Sequence, residues 1–259
     1  MNGIAKVVRF ARGKRGAALQ AAMPREPRWV SFFRVSIVAV VALCAGATQA
    51  QIPPASGEVA AYRGYLAAAA ANDVAGIEAL ARQGVKPDAV RDSHGRTPLH
   101  VAAHLRKREA MRALVKAGAD ANALESDRYD MATIAAVADD VETLKLALEL
   151  GNKATNITSR YDGTALIAAA HLGHDEVVRV LIRAGAPLDH VNNLRWTALI
   201  ESIVLGNGGS RHTASLRALV EAGANVNLPD GQGATPLALA KRRSYGEMVK
   251  ILQARGAKE

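Results

Sequence analysis

The chain has 259 residues, 49% of them apolar but only 4% aromatic, a balance that disfavours a β-sandwich or an aromatic-lined pocket and suits an alanine-rich helical stack. Its formal charge of +9 does not mark a nucleic-acid binder, because residues 1–50 hold 8 of the 33 Lys/Arg and 1 of the 24 Asp/Glu, a net of +7, leaving only +2 on residues 51–259. Cys44, the single cysteine, also lies in that basic leader, so residues 51–259 have neither disulfide nor thiolate chemistry.

Residues 1–22 are basic and have no clear apolar block. Either translation starts at Met23, or these residues form an unusually long positive region ahead of a signal. From Met23 onward the pattern is orderly: Arg25, Arg28 and Arg34 precede an apolar run at residues 35–47, followed by Ala-Thr-Gln-Ala-Gln. That order predicts a secretory signal cleaved between Ala50 and Gln51. The apolar run of 13 residues is short for a bilayer crossing, which takes about 20 residues. The alternative is an uncleaved inner-membrane anchor that also uses residues 29–33. Leu43 stands before Cys44 where a lipobox requires a small residue, which argues against lipidation. A cysteine-free domain behind such a leader suits the bacterial periplasm.

Residues 51–64 mix proline, glycine and small side chains and read as a linker. Residues 65–91 read as an N-terminal cap, with one helix at residues 66–71, a second begun by Asn72 or Asp73, and Ile77 and Leu80 facing inward. Then a unit recurs, seen most clearly at residues 159–191. Thr164 caps a short helix whose Leu166, Ile167, Ala169 and Ala170 form an apolar stripe; Gly173 and His174 break it. Asp175 and Glu176 open a second helix carrying Val177, Val178, Leu181 and Ile182 at helical spacing, and Gly185 ends it. Two helices of about ten residues cannot bury their apolar faces alone and need stacked neighbours.

Those neighbours are written in the sequence. Gly84, Gly118, Gly151, Gly185 and Gly223 recur at spacings of 34, 33, 34 and 38, and the helix-start position recurs as Thr97, Asp130, Thr164, Thr197 and Thr235. With Gly-Arg-Thr-Pro-Leu-His-Val-Ala-Ala at residues 95–103 and Gly-Ala-Asp-Ala-Asn at residues 118–122, residues 65–259 resemble the ankyrin repeat. The resemblance implies an all-α solenoid of stacked helix pairs with projecting turns, about six units including caps. Its units are the cap at 65–91, repeats at 92–124, 125–158, 159–191 and 192–229, and a C-terminal cap at 230–259. In the third repeat Arg128 replaces the usual turn glycine, which predicts a distorted turn. The fifth spans 26 residues from Thr197 to Gly223 against 21 in the second and fourth, so a flexible insertion is expected at residues 206–215. The last unit carries Lys241, Arg242, Arg243, Lys250, Gln253 and Arg255, a polar face suited to water.

Chemistry is harder to find. His100 and His104 are one helical turn apart, compatible with two ligands on one face, but no third ligand has local spacing. The resemblance gives His100 another task, bonding the backbone of a neighbouring turn, and gives His174 a turn position. No nucleophile elbow or phosphate-cradling loop is present, and Asp139 and Asp140 read as a helix start. No catalytic residue, cofactor or metal is expected. A histidine-dependent metal-binding or hydrolytic protein is the alternative from another class.

The resemblance implies instead a partner protein, met at the turns before each helix start and at the exposed end of the first helix. Those positions hold His94, Arg96 and His104 in the second repeat and Asp127 and Tyr129 in the third. In the fourth they hold Arg160, Tyr161, His171 and Leu172, and in the fifth Asn193, Leu194, Trp196, Val204 and Leu205. Trp, Tyr and Arg dominate interface energies. The expectation is a monomeric, exported protein-binding module, with no nucleic acid and no membrane insertion of the mature domain. It would act as a scaffold or, alternatively, as an inhibitor or immunity protein against a toxin or hydrolase. Arg211 and His212 in the insertion are candidates for a contact loop or lid.

Overall fold

The computed structural model describes residues 51–259. The leader, its cleavage position and Cys44 lie outside the described residues. Each first helix of a pair starts where a side chain closes the opening turn. The caps Thr97, Asp130, Thr164, Thr197 and Thr235 accept from the third backbone N–H onward, at 3.5, 2.8, 3.2, 3.2 and 3.2 Å. Pro98 and Pro236 follow two of these caps, where a missing N–H costs nothing. Each second helix is followed by a glycine whose φ, between +76° and +98° at Gly84, Gly118, Gly151, Gly185 and Gly223, only glycine adopts without penalty.

Among the described residues these signals give thirteen α-helices and no β-strand beyond an isolated bridge from Thr158 to Gly163. Twelve of the helices form six pairs: Gly64–Ala71 with Val74–Arg82, Pro98–His104 with Arg108–Lys116, Met131–Val137 with Val141–Glu149, Ala165–Leu172 with Asp175–Arg183, Ala198–Val204 with Ser210–Glu221, and Pro236–Arg242 with Gly246–Ala254. The architecture is an all-α solenoid. First helices pack on one another in sequence order, and the second helices form a row behind them. Ala102, Ala136, Ala169, Ala170 and Ala198 are fully buried between first helices, where a longer side chain would hold the layers apart. Ile77, Met111, Leu114, Leu144, Leu181 and Leu219 fill the space toward the second row. Leu80 and Ile182, half-buried, pack against the same core.

Three local expectations are revised. The stretch expected as a linker contains the thirteenth helix, Ser56–Ala61, because Glu58 reaches back to the Ala55 N–H at 2.8 Å and also pairs with Arg96 at 2.9 Å. The turn of the third repeat is regular, because Arg128 itself takes the left-handed conformation at φ +65°, as Arg195 does in the fifth. Asp140 caps its helix through Thr143 N at 3.0 Å, whereas Asp139 precedes it at φ +52°.

The insertion of the fifth repeat is also not a free turn. Its second helix runs 12 residues against nine in the fourth and sixth units, so part of the added length becomes helix. The remainder is pinned from both sides. Tyr245 donates its hydroxyl to Gly206 O at 2.9 Å, and His212 Nε2 lies 3.0 Å from His171 O. Arg211 reaches back over the fourth repeat to Asp175 at 3.2 Å and to Asp139 of the third at 2.9 Å. Arg211 and His212 are thereby engaged within the stack.

Candidate protein-binding groove

The projecting turns are built one way. A short polar side chain at the turn start satisfies the backbone two and four residues on: Asp92 Oδ1 accepts from His94 N and Arg96 N at 2.9 and 3.0 Å, and Asn192 Oδ1 from Leu194 N and Trp196 N at 3.0 Å each. Neighbouring turns are stitched by Ser126 N to His94 O at 3.1 Å and Asn193 N to Tyr161 O at 2.9 Å. His100 adds a buried link. Its Nε2–H donates to Tyr129 O at 3.0 Å while Thr97 Oγ1 lies 2.7 Å from Nδ1, and burial holds its pKa down at about 4. That is a neutral imidazole committed at both nitrogens. His104 is half-buried and likewise lowered to about 4, first by burial and then by the Arg96 charge.

Where these turns meet the first-helix layer of the third, fourth and fifth units, a groove of about 320 Å³ opens. Tyr129, Tyr161, His171, Leu172, Leu194 and Leu205 line it, six of the sequence-predicted positions. Tyr129 is mostly buried, and desolvation pushes its phenol up to about 12. His94, Arg96, His104 and Asp127 instead border a cleft of about 10 Å³, room for roughly one water. Arg160, Asn193, Val204 and Trp196 line neither space. Arg160 pairs with Asp127, and Asn193 donates to Arg160 O at 3.1 Å.

Two expected anchors are structural. Trp196 is 7% exposed and belongs to the core, its backbone N–H held by Asn192 Oδ1. Arg96 is 1% exposed and ties the N-terminal arm to the second repeat: Nε to Asp92 at 2.6 Å, Nη2 to Glu58 at 2.9 Å and Nη1 to Ile52 O at 2.8 Å. Burial raises the pKa of Asp92, but hydrogen bonds from Tyr62 and Arg96 outweigh it and hold the carboxyl below its ordinary value. Glu58, Asp92 and His94 lie close together, but both carboxylates already pair with the Arg96 guanidinium, which stands among them.

Sequence reasoning missed Glu201. It is 3% exposed on the groove floor, with Asn192 Nδ2 donating to Oε1 at 2.9 Å and His171 Nδ1 lying 3.1 Å from Oε2. The signal was available by superposing the repeats, since the equivalent position, four residues after each cap, holds Val101, Ile134, Ala168 and Leu239 elsewhere.

A family model described as ankyrin repeats (3 copies) matches residues 62–127 and 132–230, more than half of the chain. The chain belongs to the ankyrin-repeat family. It is similar to the ankyrin repeat protein YahD of Escherichia coli (strain K12), at 31% identity over 194 residues, covering 74% of this chain and 96% of that one. It also matches the crystal structure of an ankyrin repeat domain from Acinetobacter baumannii AYE at 42% identity and a TM-score of 0.70, covering 75% of this chain and 98% of that one. The ankyrin repeat domain of Bcl-3, a member of the IkappaB protein family, matches at 26% identity and a TM-score of 0.67, covering 76% of this chain and 87% of that one. Ankyrin repeats are generally protein–protein interaction modules, and the fold is typically a non-enzymatic binding scaffold. No helix among the described residues is long and apolar enough to cross a membrane.

Proposed function

We propose that this protein is an exported, periplasmic binding module that takes a segment of a partner protein into the groove between its third, fourth and fifth units. The observation that carries the reading is the groove itself. It gathers Tyr161, Leu172, Leu194 and Leu205 on a framework whose helix caps and turns are already hydrogen-bonded. A preformed surface loses little conformational freedom on binding. The leader supplies the location: removal between Ala50 and Gln51 leaves the folded stack in the periplasm.

The test is affinity capture from the periplasmic fraction with the native protein beside a Tyr161→Ala, Leu194→Ala variant. Both side chains lie in the groove outside the tightly packed core, and Leu194 is 36% exposed, so the variant keeps its fold. A partner held by the native protein and released by the variant supports the reading; equal retention by both sinks it. Amino-terminal sequencing of the periplasmic protein tests the location, with Gln51 expected and a retained Met1 or Met23 excluding cleavage.

A further inference from the structure

We infer that the groove selects a basic side chain, Lys or Arg, on an extended segment of the partner protein, and that Glu201 is its counter-charge. This rests on the groove being the binding surface. Among the described residues that line it, Glu201 is the one carboxylate and none is a lysine or arginine. Its carboxylate is buried in a helix that needs no charge there, because the equivalent residues of the other repeats are Val101, Ile134, Ala168 and Leu239. A buried carboxylate is costly unless compensated, and here the partners are one amide, Asn192 Nδ2, and one imidazole nitrogen, His171 Nδ1. A carboxylate has about four acceptor positions, so two donors leave capacity for an ammonium or guanidinium arriving from the groove.

The walls fit the rest of such a ligand. Tyr161, Leu172, Leu194 and Leu205 offer apolar surface for the aliphatic stem of a long basic side chain and for its neighbours. The volume of about 320 Å³ is near the lower end of ligand pockets, roughly 300–1,000 Å³, which suits one inserted side chain better than a folded element. Gln51 stands at the edge with Nε2 buried and unpartnered, a donor for a backbone carbonyl of the inserted segment. An anionic ligand would meet the Glu201 charge and is disfavoured.

The experiment titrates the protein with capped pentapeptides, Ala-Leu-Xaa-Leu-Ala, in which Xaa is Lys, Arg, norleucine or Glu, with n-butylamine as a free-amine control, following groove resonances by NMR. The Lys or Arg peptide is expected to bind at least about tenfold more tightly than the norleucine peptide, with the Glu peptide and the free amine weaker still. Glu201→Gln is expected to erase the preference. Glu201→Leu, which places there the residue found at the equivalent Leu239, is expected to do the same in a variant that still unfolds cooperatively. Equal binding of the norleucine and Lys peptides, or a preference that survives Glu201→Leu, overturns the inference while leaving the groove as a binding surface. Butylamine binding as tightly as the Lys peptide, or no groove shift with any peptide up to about 10 mM, also overturns it. The groove reading is judged separately by the Tyr161→Ala, Leu194→Ala capture.

Discussion

Arg96 and Gly185 each perform a task that another residue type performs badly. Arg96 meets two carboxylates and a carbonyl at once from a position 1% exposed, geometry that needs a forked guanidinium. Arg96→Ala leaves Asp92 buried without its counter-charge and is expected to cost about 3–5 kcal/mol in denaturant unfolding, a loss that Arg96→Lys does not fully restore. A cost below about 1 kcal/mol would show that the arm contributes nothing to the stack. Gly185 has φ +78° and open space where a Cβ would project, so Gly185→Ala tests backbone conformation alone and should cost about 1 kcal/mol. Arg128, at φ +65°, is the converse case. Its ion pair with Asp162 is roughly half exposed on both sides and worth little, so Arg128→Gly should be neutral to slightly stabilising, by at most about 1 kcal/mol. Equal destabilisation by both changes would contradict the turn geometry.

The helix Pro98–His104 carries two imidazoles that folding keeps neutral, and this gives the element its own pH dependence. The ordinary pKa of 6.5 falls to about 4 at both His100 and His104, with burial the leading cause. Between those limits the unfolded chain binds more protons than the folded one, so stability is fully present above pH 6.5 and is lost as pH falls toward 4. The carboxylates held low act only below their ordinary values, 3.8 for Asp92 and Asp140 and 4.5 for glutamates such as Glu58, so the fall from pH 6.5 to pH 4.5 belongs to the histidines. In His104→Leu the midpoint of urea unfolding should fall less steeply between pH 6.5 and pH 4.5 than in the native protein. His100→Ala removes a buried link between turns and should cost about 2–4 kcal/mol at neutral pH. An unchanged slope in His104→Leu would show that this histidine is charged in the folded state.

Across the whole molecule stability is shared between neighbours, because each helix pair contacts mainly the pair before and after it. Position in the stack therefore decides what a cavity does. Leu181 and Leu252 are both fully buried leucines of second helices, one in the fourth unit and one in the C-terminal cap. Leu181→Ala should cost about 3–4 kcal/mol and lower protection throughout the stack. Leu252→Ala should mainly release amide protection in the helices Pro236–Arg242 and Gly246–Ala254, leaving the groove intact, as hydrogen exchange would read directly. Uniform loss of protection in both variants would indicate a single cooperative unit.

The sequence by itself determined the repeating architecture, since helix caps, terminating glycines and apolar stripes are local signals that act within a few residues. Thr164 caps and Gly185 terminates whatever lies above or below them, so six helix pairs were legible from spacing alone. The faces of the turn residues were not legible, because their exposure depends on how one repeat leans on the next. Trp196 and Arg96 occupy turn positions that suit a partner, and only the stacked structure turns one into the core and commits the other to Asp92 and Glu58. The insertion reads as glycine-rich and flexible, yet Tyr245, Asp139 and Asp175, distant in sequence, pin it. Glu201 passed as an ordinary helix residue until the tertiary structure closed a groove over it, because a charge gains meaning only from what surrounds it.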